Sequence, residues 1–329
     1  MHSNHDQERD TAEEPPMTRR TDLNYRPIVQ RAARVVIVMA LVMVGTIRCN
    51  ATDLEDYLQL RGPAPTETFR YGSGASQMAE FFRPRGDGPF PVVVLIHGGC
   101  WLSRYQGLRQ FQALAGVLAR EGVAVWNVGY RGIDEPGGGY PGTYQDIAAS
   151  LGELDRQADR LRLDMHRVIA IGHSAGAHLA LWAAARPEIP STSPLYTDDP
   201  TKINEVIALG ALADLRGDAD AIEQSCGVNP AVLTGSSSAS RSDVYADTSP
   251  AQMLPIHAKV VFVNGENDAI ASPALATRFV ELARRAGMDA STVTVAAAGH
   301  FDEVTPSTPA WTAINKIILQ AVRAPSDHD

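Results

Sequence analysis

From residue 66 onward, short continuous apolar runs alternate with stretches of helical spacing. Pro91–His97, Val123–Val128, Val168–Ile171, Val206–Leu212, Val260–Asn264 and Thr292–Ala297 read as strands, and the longest runs suit strands covered on both faces. Thr66–Tyr71 and Met78–Arg83 read as two shorter strands joined by Gly72-Ser73-Gly74. Leu108–Arg120 places Leu108, Phe111, Leu114, Ala115 and Leu118 on one helical face. Further helices are predicted from Thr143 to near Leu163, over Ala175–Arg186, Pro273–Ala286 and Pro309–Val322. The first of these opens on Thr143-Tyr-Gln-Asp146, which resembles a capping box. Repeated βα units imply an α/β fold, a mostly parallel sheet of about eight strands with helices on both faces. Residues 187–205 and 215–250, rich in Ser, Asp, Pro and Gly, break the alternation and read either as a small lid within 187–250 or as plain surface loops.

With 329 residues, 44% of them hydrophobic and 20% charged, the chain can bury one large core or two ordinary ones. A net charge of −9 argues against a nucleic-acid partner, which requires a basic face. The cysteines, Cys49, Cys100 and Cys226, show no CxxC and no metal-ligand spacing, so neither a disulfide framework nor a zinc site is expected.

The amino-terminal region differs in composition. Residues 1–16 are polar and read as disordered; Met17 is an alternative start. Arg19, Arg20, Arg26, Arg31 and Arg34 precede the apolar run Val35–Ile47, which suits a signal-peptide core and falls short of the roughly 20 residues that span a bilayer. Cys49-Asn50-Ala51 offers small residues in an A-x-A-like arrangement, so cleavage after Ala51 and export to the periplasm or beyond are expected. The alternatives are an uncleaved membrane anchor or an ordinary helix of a cytoplasmic protein. The organisation read is an amino-terminal region 1–51, a linker 52–64, a globular domain 65–323 and a tail 324–329.

The chemistry centres on Gly172-His173-Ser174-Ala175-Gly176, which follows an apolar strand and precedes a helix. In that context Gly-x-Ser-x-Gly is a nucleophile elbow, with the serine hydroxyl raised above the sheet and flanking glycines where a Cβ would collide. A serine needs a base and an acid that orients it, and in such sheets the order is Ser, Asp/Glu, His. Asp268, at the end of Val260-Val-Phe-Val-Asn-Gly-Glu-Asn, and His300, after the last predicted strand, fill that order. Glu266 and Asp214 compete with Asp268, while His178, on the helix behind Ser174, reads as a packing residue. His97-Gly98-Gly99-Cys100-Trp101 follows the first long strand, and its glycines let backbone N–H groups face an oxyanion. One donor is expected from Ala175 and the other from Gly98, Gly99 or Cys100.

Together, His97-Gly-Gly-Cys-Trp101, Gly172-His-Ser-Ala-Gly176, Asn267-Asp268 and Gly299-His300-Phe301 resemble the α/β-hydrolase superfamily over roughly residues 65–323. The closest branch is the kynurenine formamidase-like and feruloyl-esterase-like (BD-FAE) one, for which His-Gly-Gly-x-Trp is typical. Cys100 stands where formamidases often carry Tyr, a departure that weakens a formamidase reading. Cys100 is expected as a small buried thiol beside the oxyanion hole. Trp101, the elbow residue His173 and Tyr140, in the Gly137-Gly-Gly-Tyr-Pro-Gly142 loop, are with it candidate pocket walls.

The resemblance implies a serine hydrolase with Ser174 as nucleophile, His300 as base and Asp268 as its orienting acid, using no metal and no organic cofactor. A small or medium carboxylic ester is the expected substrate. An amide or formamide such as N-formylkynurenine is the alternative, and a catalytically inactive hydrolase-fold binding protein is the alternative from another class. The partner expected is a small-molecule ester or amide, with membrane contact only through an uncleaved amino-terminal segment. The oligomeric state is left open.

Overall fold

The computed structural model describes residues 51–324. Of the amino-terminal region read as 1–51, all but Ala51 lies outside the described residues, as does nearly all of the tail read as 324–329. Eight strands form one sheet: β1 Glu67–Arg70, β2 Met78–Phe82, β3 Phe90–Ile96, β4 Ala124–Val128, β5 Leu163–His173, β6 Glu205–Leu209, β7 Lys259–Gly265 and β8 Ala290–Val295. Their order is β1-β2-β4-β3-β5-β6-β7-β8, and only β2 runs against the others. The described helices are α1 Leu54–Gln59, α2 Arg109–Arg120, α3 Gly142–Leu161, α4 Ala175–Ala184, α5 Ala219–Cys226, α6 Ala231–Thr234, α7 Pro273–Arg285 and α8 Pro309–Arg323.

The apolar runs of the central strands β3–β7 are long because those strands are covered on both faces, unlike the edge strands β1 and β8. Val92, Val94 and Ile96 of β3 join one core with Val168 and Ala170 of β5 and Val206 and Ala208 of β6. The alternate residues Val93, Leu95, Ile169, Ile171, Ile207 and Leu209 join a second core on the opposite face. Helices α3, α4 and α7 supply the first core, through side chains such as Leu151, Leu181 and Phe279. Helices α2 and α8 supply the second, through Phe111, Leu114, Ile314 and Ile318. Full burial of one such aliphatic side chain is worth about 1.5–3 kcal/mol. All ten residues of α4 are buried, which explains why its sequence, Ala-Gly-Ala-His-Leu-Ala-Leu-Trp-Ala-Ala, is apolar nearly all round.

Strand order also sets where a ligand can bind. From β3 the chain passes through α2 to β4 on one side, and from β5 through α4 to β6 on the other. The carboxyl ends of β3 and β5 therefore flank a topological switch point, where such sheets open a crevice. The His97–Trp101 loop leaves β3 there and the Ser174 turn leaves β5 there.

Several expectations need correction. Thr143 does not cap α3, which starts at Gly142. Its hydroxyl donates to the Arg131 carbonyl and accepts from Gly139 N–H, while Asp146 pairs with Arg131 at 2.8 Å. Those two polar residues hold the 129–142 loop rather than the helix end. Strand β5 begins at Leu163, five residues before its apolar run, because Leu163 and Asp164 pair with Phe90 and Pro91 before the register shifts. The segment read as a linker contains α1, whose Tyr57 is 1% exposed. Cys100 is not a free thiol, since it forms a disulfide with Cys226 across a sequence separation of 126. That bond ties the loop after β3 to α5, in the excursion read either as a small lid or as plain surface loops.

Candidate active site

Ser174 sits between β5 and α4 with φ 55° and ψ −122°. This is a sparsely populated backbone region that costs on the order of 1–3 kcal/mol and persists only where neighbours enforce it. Here the Ser174 N–H donates to the Leu209 carbonyl at 2.8 Å, locking the turn to β6. A Cβ on Gly172 would lie 2.2 Å from the Gly176 carbonyl oxygen, and one on Gly176 would lie 2.1 Å from that of Ile96. Both flanking glycines are thus required by close approach of backbone to backbone.

Asp268 and His300 come from separate turns at the same edge. Asp268 follows β7, and its Oδ1 accepts from the Ile270 and Ala271 N–H groups at 2.8 Å each. Its Oδ2 accepts from His300 Nδ1 at 2.7 Å, with both side chains at most 5% exposed. Because Nδ1 donates, Nε2 carries the free lone pair. Ser174 and His300 line one cavity of about 100 Å³, together with Gly99, Tyr105, Gln110 and Ser225. No Ser174–His300 hydrogen bond closes among the described residues, an open geometry common before substrate binds. The competitors are engaged elsewhere: Glu266 accepts from Ala297 N–H, and Asp214 from Arg216, Gly217 and Gln252.

The His97–Trp101 loop folds against the elbow. A Cβ on Gly98 would lie 2.8 Å from the His173 carbonyl oxygen and 3.2 Å from Ser174 Cβ. The Gly98 carbonyl accepts from His97 Nδ1 at 2.9 Å and from Gln110 Nε2 at 3.3 Å. Gly99, Cys100 and Trp101 all have positive φ, at 99°, 53° and 56°.

The candidate walls divide. Cys100 lines the cavity as half of the disulfide. Trp101 does not: it is fully buried in the core, and its Nε1–H donates to His178 Nδ1 at 3.2 Å. His178, itself fully buried, in turn donates through Nε2 to the Thr248 carbonyl at 2.8 Å. Burial lowers its pKa to about 4, so it is held neutral. Tyr140 also lies away from the cavity lining, stacked under Arg241 with its guanidinium 4.1 Å from the ring. His173 contributes to the lining, and its Nε2 donates to the His300 carbonyl at 3.0 Å, so the elbow holds the backbone of the proposed base. Burial, and secondarily the neighbouring His300, depress the His173 pKa well below the ordinary imidazole value.

Three residues around the His300 turn escaped sequence reasoning. Gly210, at φ 48° after β6, passes directly under the imidazole. Glu303, fully buried, accepts from Gly265 N–H at 2.6 Å. Burial, then the nearby Asp268, push its carboxyl well above the ordinary range. Asp302 accepts from Gly299 N–H at 2.8 Å through Oδ2. A glycine directly after a buried strand was the available signal for Gly210; two acids after Gly-His carried no pattern of their own. His173, His300 and Glu303 bring ligand-type atoms within 4.8 Å of one another, although each imidazole already spends one nitrogen on a protein acceptor. A larger cavity of about 380 Å³, lined by His97, Leu102, Gly107 and Tyr130, contains none of Ser174, Asp268 and His300.

Solved structures share this fold. Esterase B from Lactobacillus rhamnosis is 20% identical with a TM-score of 0.67, over 90% of this chain and 96% of that one. A truncated carbohydrate esterase from gut microbiota is 17% identical with a TM-score of 0.64, over 80% and 100%. A thermophilic esterase of the Planctomycetes species Thermogutta terrifontis is 17% identical with a TM-score of 0.60, over 77% and 92%. In sequence, the non-reducing polyketide synthase ausA of Aspergillus calidoustus is 33% identical over 140 residues, which span 37% of this chain and only 6% of that protein. The BD-FAE family model matches residues 80–282, more than half of the chain. The chain has the α/β-hydrolase fold and belongs to the BD-FAE family.

Proposed function

We propose that the protein is a serine hydrolase of small or medium carboxylic esters, acting through an acyl-enzyme on Ser174. The observation that carries this reading is one arrangement: a serine on a strained turn shares a cavity with an imidazole whose Nδ1 is held 2.7 Å from a buried carboxylate. In that reading His300 Nε2 takes the Ser174 proton as Oγ attacks the acyl carbonyl, then returns it to the leaving alcohol. Asp268 fixes the tautomer and stabilises the transient imidazolium. Water, activated by the same nitrogen, then releases the acid.

The developing oxyanion is held by backbone N–H groups. Ala175 is the first residue of α4, so its N–H has no acceptor within the helix. The Gly98 carbonyl is turned toward Gln110 and His97, and in a trans peptide this points the Gly99 N–H the opposite way. Gly98, packed against Ser174, supplies the close approach. Loss of one such donor costs on the order of 3 kcal/mol in the transition state.

Esters are favoured over amides because the solved structures of this fold named above are esterases. The test is a panel of p-nitrophenyl esters of graded chain length together with N-formylkynurenine. Ester turnover that vanishes in Ser174→Ala is the expected result. A preference for N-formylkynurenine over every ester would replace the ester reading by a formamidase one.

A further inference from the structure

The segment ahead of the sheet is fastened to the turn that carries His300. Thr52 donates twice to Asp302 Oδ1, through its backbone N–H at 2.9 Å and its hydroxyl at 2.6 Å. The other oxygen of that carboxylate accepts from Gly299 N–H, the residue before His300. Two residues further on, Leu54 lines the cavity at Ser174. Tyr57 stacks on Phe301 with ring centroids 5.4 Å apart and donates to the Gln110 carbonyl. The amino-terminal segment is therefore part of the catalytic wall.

Asp302 is 7% exposed and pairs with no cation among the described residues. A carboxylate so buried calls for a positive partner, and three neutral donors are an incomplete substitute. The N–H facing it belongs to the residue that follows Cys49-Asn50-Ala51, the arrangement read as a cleavage signal, and Ala51 is exposed.

We infer that the chain is cut between Ala51 and Thr52 and that Asp302 is the docking site for the new amino terminus. An endopeptidase that accepts small side chains one and three positions before the scissile bond would add water across the Ala51–Thr52 peptide. The water oxygen completes the Ala51 carboxylate, and the nitrogen leaves with Thr52 and is protonated to an ammonium. That ammonium takes the place of the amide donor opposite Asp302. The neutral hydrogen bond becomes a charge-assisted one, roughly twice as strong. Asp302 is then a positioning residue, through which maturation tightens the His300 turn.

The test starts from the full 329-residue chain expressed in an exporting host, with intact mass and amino-terminal sequencing of the product. The expected product begins at Thr52; one that begins elsewhere overturns the proposal. Next, the chain beginning at Thr52 is exposed to acetic anhydride, and acetylation of the α-amine is followed by mass spectrometry. Docking predicts acetylation about tenfold slower than in Asp302→Asn, and equal rates overturn it. This readout needs no activity, so it stands apart from the hydrolase reading. With an ester substrate, N-acetylation of Thr52 is expected to lower kcat about 3- to 10-fold at unchanged KM, and in Asp302→Asn the two forms should turn over alike. Thr52→Ser should match the natural chain, whereas Thr52→Val should lose part of kcat. A difference between free and acetylated forms that survives Asp302→Asn would also overturn the proposal.

Discussion

Replacing Gly210 with alanine displaces His300 while leaving Ser174, His300 and Asp268 themselves unsubstituted. An ideal Cβ at Gly210 would lie 2.8 Å from both Cε1 and Nδ1 of His300 and 2.9 Å from Oε2 of Glu303. An ordinary contact begins near 3.4 Å, so the imidazole must retreat by the difference, about 0.6 Å. Misplacement of a reacting group by 1 Å can cost on the order of 100-fold, so a kcat loss of about 10- to 100-fold is expected with KM little changed. A left-handed alanine also costs about 1–2 kcal/mol of stability. Gly287→Ala separates the two effects, because Gly287 has φ 83° and nothing within 4 Å of its Cβ position. The control should lose similar stability and keep full turnover. The assay is kcat and KM on a p-nitrophenyl ester beside urea unfolding for both variants. Equal turnover by Gly210→Ala and Gly287→Ala would refute the reasoning that places His300 over Gly210 as the working base.

Asp268→Asn should fold normally and lower kcat by about 10⁴, because an amide leaves His300 in the wrong tautomer; a loss under tenfold would remove Asp268 from its role. Reduction of Cys100–Cys226, or Cys100→Ala with Cys226→Ser, should destabilise the fold by up to about 5 kcal/mol from the long loop released, read as a fall in the urea midpoint. Burial holds His97 and His178 near pKa 4, so below pH 6.5 the unfolded chain binds protons that the fold does not. Stability should therefore fall between pH 6.5 and about 4, by about 1.4 kcal/mol per pH unit for each, and a flat profile over that window would contradict their burial as neutral groups. The Glu303 carboxyl is displaced upward, so above about pH 4.5 only the unfolded chain ionises and stability is lost as pH rises toward the folded pKa. Glu303→Gln should remove that loss, gaining on the natural protein as pH is raised from 5 to 8 in thermal melts.

The candidate residues Ser174, Asp268 and His300, which the structure brings to one edge of the sheet, each follow a strand. Ser174 and Asp268 follow β5 and β7, whose buried stretches are visible as continuous apolar runs, whereas His300 follows the edge strand β8, largely exposed and alternating Thr with Val, and is marked by its order after Asp268. What escaped depends on contacts between distant segments. The Cys100–Cys226 pair needs the 215–250 excursion to fold back over the loop after β3, and nothing in either local sequence encodes that. Thr143 and Asp146 have capping-box spacing, yet Arg131 lies close enough to claim the carboxylate. Trp101 adjoins the cavity loop in sequence, but its positive φ sends the indole into the core toward His178. Tyr57 and Thr52 stood in a stretch too short to register as an element, although Leu54, Tyr57 and Leu58 have helical spacing.

Ser174 is the residue on which the proposed hydrolysis depends. Incubation with a fluorophosphonate, followed by peptide mapping, asks directly whether it is an activated nucleophile. One adduct per chain is expected, on Ser174, absent in Ser174→Ala and formed much more slowly in Asp268→Asn. An intact protein that takes no label, or a Ser174→Ala variant that labels equally well, would contradict Ser174 as the nucleophile.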